Sequence, residues 1–190
     1  MPDPTAELTD LLQLDQQVCF PLYAASNLLT RLYRPVLAPF NLTYPQYLVM
    51  LVLWQESPKS VGELGQLLYL DSGTLTPLLK RLEQNGFILR QRDPADERRV
   101  LISLTVQGSA LHQQAAVIPQ TLITQLALST SQLDTLRQHV RDMVAILHHQ
   151  LNQTHVQLHI ASQDQSVLTD QTAPSTQTDS PHSLTTKELP

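Results

Sequence analysis

Cysteine is nearly absent from this chain of 190 residues: Cys19 is the only one. A single thiol cannot build an intrachain disulfide framework or a cysteine-rich zinc site. Glycine is scarce as well, and the five present do not form a loop able to cradle a phosphate. The longest unbroken apolar run, Tyr47–Trp54, falls far short of the ~20 residues a spanning helix needs, so no membrane partner is expected. The opening segment lacks positive charge: Asp3, Glu7, Asp10 and Asp15 stand there without a Lys or Arg, unlike a secretory signal peptide. These absences point to a cytoplasmic protein with a reduced thiol.

Acids outnumber bases, 17 against 12, for a net charge of -5. Taken whole, that disfavours nucleic acid as a partner. Divided by region, the chain reads differently. Residues 1–18 carry -4 and residues 151–190 carry -3, whereas 19–150 carry eleven bases against nine acids. Lys80, Arg81, Arg90, Arg92, Arg98 and Arg99 crowd into one short stretch of that middle. Residues 152–190, and most strongly those from Ser162 onward, are rich in Ser, Thr and Gln with no apolar period. They read as a disordered acidic tail, as do residues 1–7 at the other end.

Between the ends, the periodicity is mostly helical. Leu22, Leu28, Leu29, Leu32 and Val36 form a stripe that starts near Cys19 and is stopped by Pro35 and Pro39. Thr43 caps a helix over Tyr44–Glu56 with Pro45 in its first turn and Leu48, Leu51 and Val52 facing inward. Ser60 with Glu63 makes a capping box for Val61–Leu68. Asp71 caps Ser72–Asn85, whose Leu75, Leu78, Leu79 and Leu82 share one face, and Gly86 ends it. Two short strands follow, Phe87–Arg92 and Val100–Leu104, joined by a charged seven-residue tip. Thr105 caps a long helix kinked by Pro119, and Ser131 caps a last helix striped by Leu133, Leu136, Val140, Val144, Leu147 and Leu151.

A short helix, a capped helix with a polar leading edge, then a basic hairpin form the order of a winged helix-turn-helix. The fold class expected is mainly α with a small β-hairpin. Residues 39–106 would make the DNA-binding lobe, and residues 1–38 with 107–151 the dimerisation helices. A helix can enter a major groove when its leading end exposes small polar groups, here Ser72, Thr74 and Thr76. Lys80 and Arg81 follow at phosphate reach. The wing would carry Arg98 and Arg99 toward the minor groove, with Asp96 holding Arg98 in place. A surface helix followed by a solvated turn is the plainer alternative for the same residues.

The segments Val18–Ser26, Tyr33–Pro35, Leu42–Leu48, Leu68–Arg81 and Asp96–Ile102 together resemble the organic hydroperoxide sensing repressors of the MarR family (OhrR type, one-cysteine subclass). The resemblance covers about residues 8–150. The Asp-x-Arg-Arg wing marks the broad family, and the cysteine segment with Tyr44-Pro45-Gln46-Tyr47 marks the peroxide sensors.

A lone cysteine between Val18 and Phe20 is ordinarily a small buried hydrophobe. Its place at a helix start instead favours a thiolate. Tyr23 stands one turn from Cys19, while Tyr33 and Tyr44 could approach only from a second subunit. The resemblance implies that arrangement: Cys19 as the sensing residue, and Tyr33 and Tyr44 as hydrogen-bonding partners across a dimer. It implies a palindromic DNA operator as partner, an organic hydroperoxide as oxidant, no cofactor and no enzymatic turnover. Some relatives carry a second, resolving cysteine near the C-terminal helices. None stands here, so the sulfenic acid would pass to a low-molecular-weight thiol, cyclise with a backbone nitrogen or overoxidise. Two rivals are a MarR-type repressor of small aromatic ligands with a structural Cys19, and a one-cysteine thiol peroxidase. His155 and His159 have the i, i+4 spacing of a metal pair, but no acid or cysteine completes a set, so no metal is expected. Ser109 and His112 lack the context of a nucleophile and its base.

Overall fold

The computed structural model describes the backbone of residues 12–170 and the side chains of residues 12–154. The disorder expected for residues 1–7, and for the tail beyond Asp170, lies outside the described residues. The chain forms two units, one through Leu128 and one from Ser129.

Helix α1 spans Cys19–Leu37. Pro35 does not stop it, in contrast to the sequence reading. The helix closes at Leu37, and a 3-10 turn over Ala38–Phe40 ends on Asn41 at φ 53. Helix α2, Tyr44–Gln55, has Pro in its first turn and a capping box in which the Thr43 N–H donates to Gln46 Oε1 at 2.8 Å. The face expected to point inward was wrong. Gln46, Tyr47, Val49, Met50 and Leu53 are buried, whereas Leu48, Leu51 and Val52 are only half-buried. Apolar side chains encircle this helix, so periodicity has no polar side from which to set its rotation.

A two-residue strand β1, Lys59–Ser60, leads into helix α3, Val61–Leu68, through the capping box foreseen at Ser60 and Glu63. Helix α4, Ser72–Gln84, begins on Asp71. Its end is a Schellman closure: Gly86, at φ 78, donates to the Glu83 carbonyl at 2.9 Å, and Phe87 donates to the Leu82 carbonyl at 3.1 Å. Leu75, Leu79 and Leu82 sit in one core with Leu37, Met50, Leu53, Leu64, Ile88 and Ile102. Fully burying each such side chain contributes about 1.5–3 kcal/mol.

Strands β2, Ile88–Asp93, and β3, Asp96–Leu104, pair antiparallel, and β1 adds to the far side of β3, giving the order β1-β3-β2. The third strand was not foreseen, because two residues carry no readable alternation. The hairpin tip is also tighter than expected. Asp93 pairs with Asp96, leaving a two-residue turn at Pro94 and Ala95 in place of a seven-residue loop.

The helix expected after Thr105 is two helices, α5 over Val106–Ala115 and α6 over Val117–Leu126, broken at Ala116. Pro119 therefore falls in a first turn, where its missing N–H does little harm. Helix α5 is fastened to the base of the hairpin. Thr105 Oγ1 accepts the Gly108 N–H at 2.9 Å and donates to the Gly86 carbonyl at 2.6 Å, and Trp54 Nε1 donates to the Gly108 carbonyl at 2.8 Å.

The second unit is helix α7, Thr130–Asp170. Ser129 rather than Ser131 caps it: the Gln132 N–H donates to Ser129 Oγ at 3.3 Å, and the Ser129 N–H donates to Gln132 Oε1 at 2.9 Å. The tail expected from residue 152 is thus helical through Asp170. No proline or glycine interrupts the chain between Pro119 and Pro174. No single helix among the described residues is long and apolar enough to cross a membrane.

Candidate nucleic-acid interface and thiol site

Helix α4 presents its polar leading end to solvent. Asp71 Oδ1 accepts the Thr74 N–H at 2.9 Å and Oδ2 accepts the Thr74 hydroxyl at 2.8 Å. The two bonds, the hydroxyl first, hold the Asp71 carboxyl below its ordinary range. The Thr76 hydroxyl donates to the Ser72 carbonyl at 2.7 Å. Thr74 and Thr76 have therefore committed their protons within the helix. They face outward as acceptors with a methyl group, whereas no bond among the described residues occupies the Ser72 hydroxyl proton. Acceptors suit an exocyclic amine on a base edge, and the methyl groups suit thymine.

The six basic residues of the short stretch separate into two groups. Arg90 pairs with Glu83 at 3.7 Å, tying β2 to α4. Arg99 sits 3.5 Å from Glu63 and 3.8 Å from Asp93, binding the wing to the first turn of α3. Arg99 thus holds the wing while its side chain stays half-exposed. Arg98 Nε lies 3.1 Å from Asp96 Oδ1, as the sequence suggested, yet its side chain is 92% exposed. The Arg98 side chain and N–H hold the Asp96 carboxyl below its usual range. Asp96 thus aims a solvated guanidinium outward from the tip. Lys80, Arg81 and Arg92 are exposed, with no carboxylate partner among the described residues.

Cys19 is the first residue of α1 and is exposed in the single chain, not packed into its core. Tyr23, one turn on, is 68% exposed, and no hydrogen bond joins it to the sulfur. Tyr33 lies fourteen residues along the same helix, about 21 Å at 1.5 Å per residue, so it cannot reach its own Cys19. Tyr33 instead stacks on Tyr44 at 4.5 Å between ring centroids and lies 5.9 Å from Tyr47. Burial, and then the neighbouring phenols, push the Tyr33 hydroxyl up to about 12, and burial also raises Tyr44. Both phenols are therefore firmly protonated donors at neutral pH. The row continues through Trp54, 6.2 Å from Tyr47, to His112, 5.3 Å from Trp54. Sequence reasoning gave Tyr47 no place beyond the segment that carries the resemblance, and missed Trp54 in this row and Gly108 at the wing base. It also missed a cleft holding Arg31, Arg34 and Arg81. Its one legible signal is that no Asp or Glu occurs between Asp15 and Glu56.

A capped helix held above a three-stranded sheet, beside a hairpin that thrusts an arginine into solvent, is the working surface of winged-helix proteins. The chain is a DNA-binding transcription regulator and not an enzyme. Residues 31–115 match the family described as Transcriptional regulator SarA/Rot. The organic hydroperoxide resistance transcriptional regulator of Bacillus subtilis is 46% identical over 139 residues, covering 73% of this chain and 95% of that protein. Reduced AbfR bound to DNA superposes with a TM-score of 0.65 at 33% identity, over 75% of this chain and 97% of that one. The Staphylococcus epidermidis AbfR has also been solved with a disulfide formed, at 35% identity and a TM-score of 0.50, over 74% and 98% of the two chains. MarR of E. coli shares the fold at 26% identity and a TM-score of 0.52, over 67% and 96%. This chain belongs to the MarR family of transcription regulators, in its organic hydroperoxide resistance branch.

Proposed function

We propose that the chain is a redox-sensing repressor. The reduced homodimer binds a palindromic operator, and oxidation of Cys19 by an organic hydroperoxide releases it. The observation that carries this reading is the exposed thiol at the start of a helix whose apolar residues are uncovered around it. Val18 is 72%, Tyr23 68% and Leu28 60% exposed. A second copy of the chain covering that end would bring its own Tyr33 and Tyr44 to the sulfur, to which no tyrosine is hydrogen-bonded within one chain. The exposed stripe of Leu136, Val140, Val144 and Leu147 on α7 supplies further apolar surface for the same association. A dimer presents two copies of α4 to two half-sites one helical turn apart.

In the reaction, the Cys19 thiolate attacks the terminal oxygen of the hydroperoxide. A sulfur–oxygen bond forms and the O–O bond breaks, and the leaving alkoxide takes a proton to become an alcohol. Sulfur is oxidised to a sulfenic acid as the peroxide is reduced. The tyrosine hydroxyls donate to the thiolate and orient the peroxide. Apolar neighbours favour an organic peroxide over hydrogen peroxide. The chain holds no second cysteine, and of the three remaining fates we take condensation of the sulfenic acid with a low-molecular-weight thiol, giving a mixed disulfide and water. Loss of the thiolate's hydrogen bonds shifts the balance between two dimer arrangements, and a few kcal/mol suffices to change operator occupancy greatly. The relative named for organic hydroperoxide resistance, and AbfR solved both reduced on DNA and with a disulfide formed, support this reading. The protein would act in the cytosol, on chromosomal DNA.

The test compares operator binding by wild type and Cys19→Ser, with and without cumene hydroperoxide. Release confined to wild type supports the sensor. Release of both proteins, or of neither, overturns it.

A further inference from the structure

A cleft of about 730 Å³ opens between the C-terminal half of α1, the start of α2 and the end of α4. Arg31, Arg34 and Arg81 line it, with Asn41, Gln84 and Asn85 supplying amides, and no acidic residue lines it. None of the three arginines forms an ion pair among the described residues. Arg31 and Arg34 stand one turn apart, a spacing at which like charges repel. Three guanidinium groups share one concave surface in a chain that is acidic overall. No carboxylate among the described residues balances them.

Their position next to α4 suggests what they could hold. On α4, Thr74, Pro77, Arg81 and Gln84 recur at steps of three and four, so they share one stripe, and all are exposed. The cleft thus continues the face that presents the helix's polar leading end. Arg81 lies seven residues beyond Thr74, about 10 Å along the axis, comparable to the roughly 12 Å width of a major groove. With Thr74 at base edges, Arg81 comes over the sugar–phosphate backbone bordering that groove. Arg31 and Arg34 stand beside it on the other wall.

We infer that this cleft is a phosphate clamp for operator DNA. Arg31 and Arg34 of α1 join Arg81 to hold backbone phosphates next to the half-site read by α4. Guanidinium forks suit phosphate oxygens in paired bonds. Such contacts fix register and add affinity without reading sequence. The clamp also makes α1, which carries Cys19 at its other end, a direct DNA ligand. The inference rests on the DNA-binding function and would fall with it.

The test is fluorescence anisotropy of full-length protein on its operator duplex across a potassium chloride series. Arg31→Gln/Arg34→Gln should flatten the slope of log Kobs against log salt by about 0.9 for each arginine removed from each protomer. The ratio of operator to random-duplex affinity should stay unchanged. Arg31→Lys/Arg34→Lys should retain most of the slope. If the double glutamine variant fails to fold, each single variant should show half the change. An unchanged slope with normal operator binding by wild type overturns the clamp alone. Wild type that binds no DNA overturns the regulator reading as well. Calorimetry with inorganic phosphate and with benzoate gives the remaining arm. Tight binding of either by wild type, lost in the variants while their DNA slope is retained, would make the cleft a small-anion site and overturn the inference.

Discussion

The junction between the wing and α5 allows a sharp prediction at Gly108. A Cβ built there would stand 2.0 Å from the Phe87 carbonyl oxygen and 2.9 Å from its carbonyl carbon. Both are backbone atoms, so no side chain can swing aside, and Gly108→Ala must push α5 and the root of β2 apart by about 1 Å or more. Two hydrogen bonds cross that seam: Thr105 N–H to the Phe87 carbonyl at 3.1 Å, and the Thr105 hydroxyl to the Gly86 carbonyl at 2.6 Å. Weakening them at about 1 kcal/mol each, together with overpacking of about 1–3 kcal/mol, gives a destabilisation of about 3–5 kcal/mol. Urea unfolding followed through Trp54, the only tryptophan, measures it at fixed protein concentration. The midpoint should fall with m unchanged. A loss below about 1 kcal/mol would show that the seam is slack and refute the reasoning. Because the wing hangs from this seam, operator affinity should fall with stability.

Two other perturbations separate the wing from the tyrosine row. Arg98→Ala removes a side chain exposed to solvent and held only by Asp96. Unfolding should be unchanged, operator affinity should drop roughly ten-fold, and Cys19 should react with peroxide at the wild-type rate. Equal loss of thiol reactivity would contradict a role confined to DNA. Tyr33 is raised to about 12 in the folded protein, so the unfolded chain releases its proton first as pH rises. The stability that this phenol contributes is full below about pH 10 and is lost as pH rises through about 12. Denaturation midpoints taken from pH 9 upward should fall for wild type and fall less steeply for Tyr33→Phe. Identical slopes would show that Tyr33 is not the group responsible.

Much of the lobe was legible because its signals are local. Ser60 with Glu63, Asp71, Gly86 and Thr105 each mark a helix end by chemistry within four residues, and the structure uses all of them at those ends. The burial of α2 was not legible, since a helix apolar on all sides has no face to read. Strand β1 exists only because Lys59 and Ser60 meet Ile102 and Leu101 across the sheet, a partnership fixed by tertiary structure. The tight wing turn was hidden by charged residues that look like a loop yet form a ladder. The pairing of Asp96 with Arg98 was legible because it spans two residues. The ion pair of Arg99 with Glu63 was not legible, because Glu63 comes from another helix. The arginine cleft joins α1 to α4, and no spacing along the chain announces such a meeting.

The central claim is that the chemical state of one sulfur sets operator occupancy. The direct measurement titrates cumene hydroperoxide into the operator-bound protein, in the presence of a low-molecular-weight thiol. DNA release is read by anisotropy, and Cys19 modification by intact-mass analysis of the same samples. The account predicts that the released fraction tracks the modified fraction of Cys19, and that a disulfide reductant restores binding. Quantitative modification with the operator still fully bound, or release with Cys19 unmodified, would contradict it.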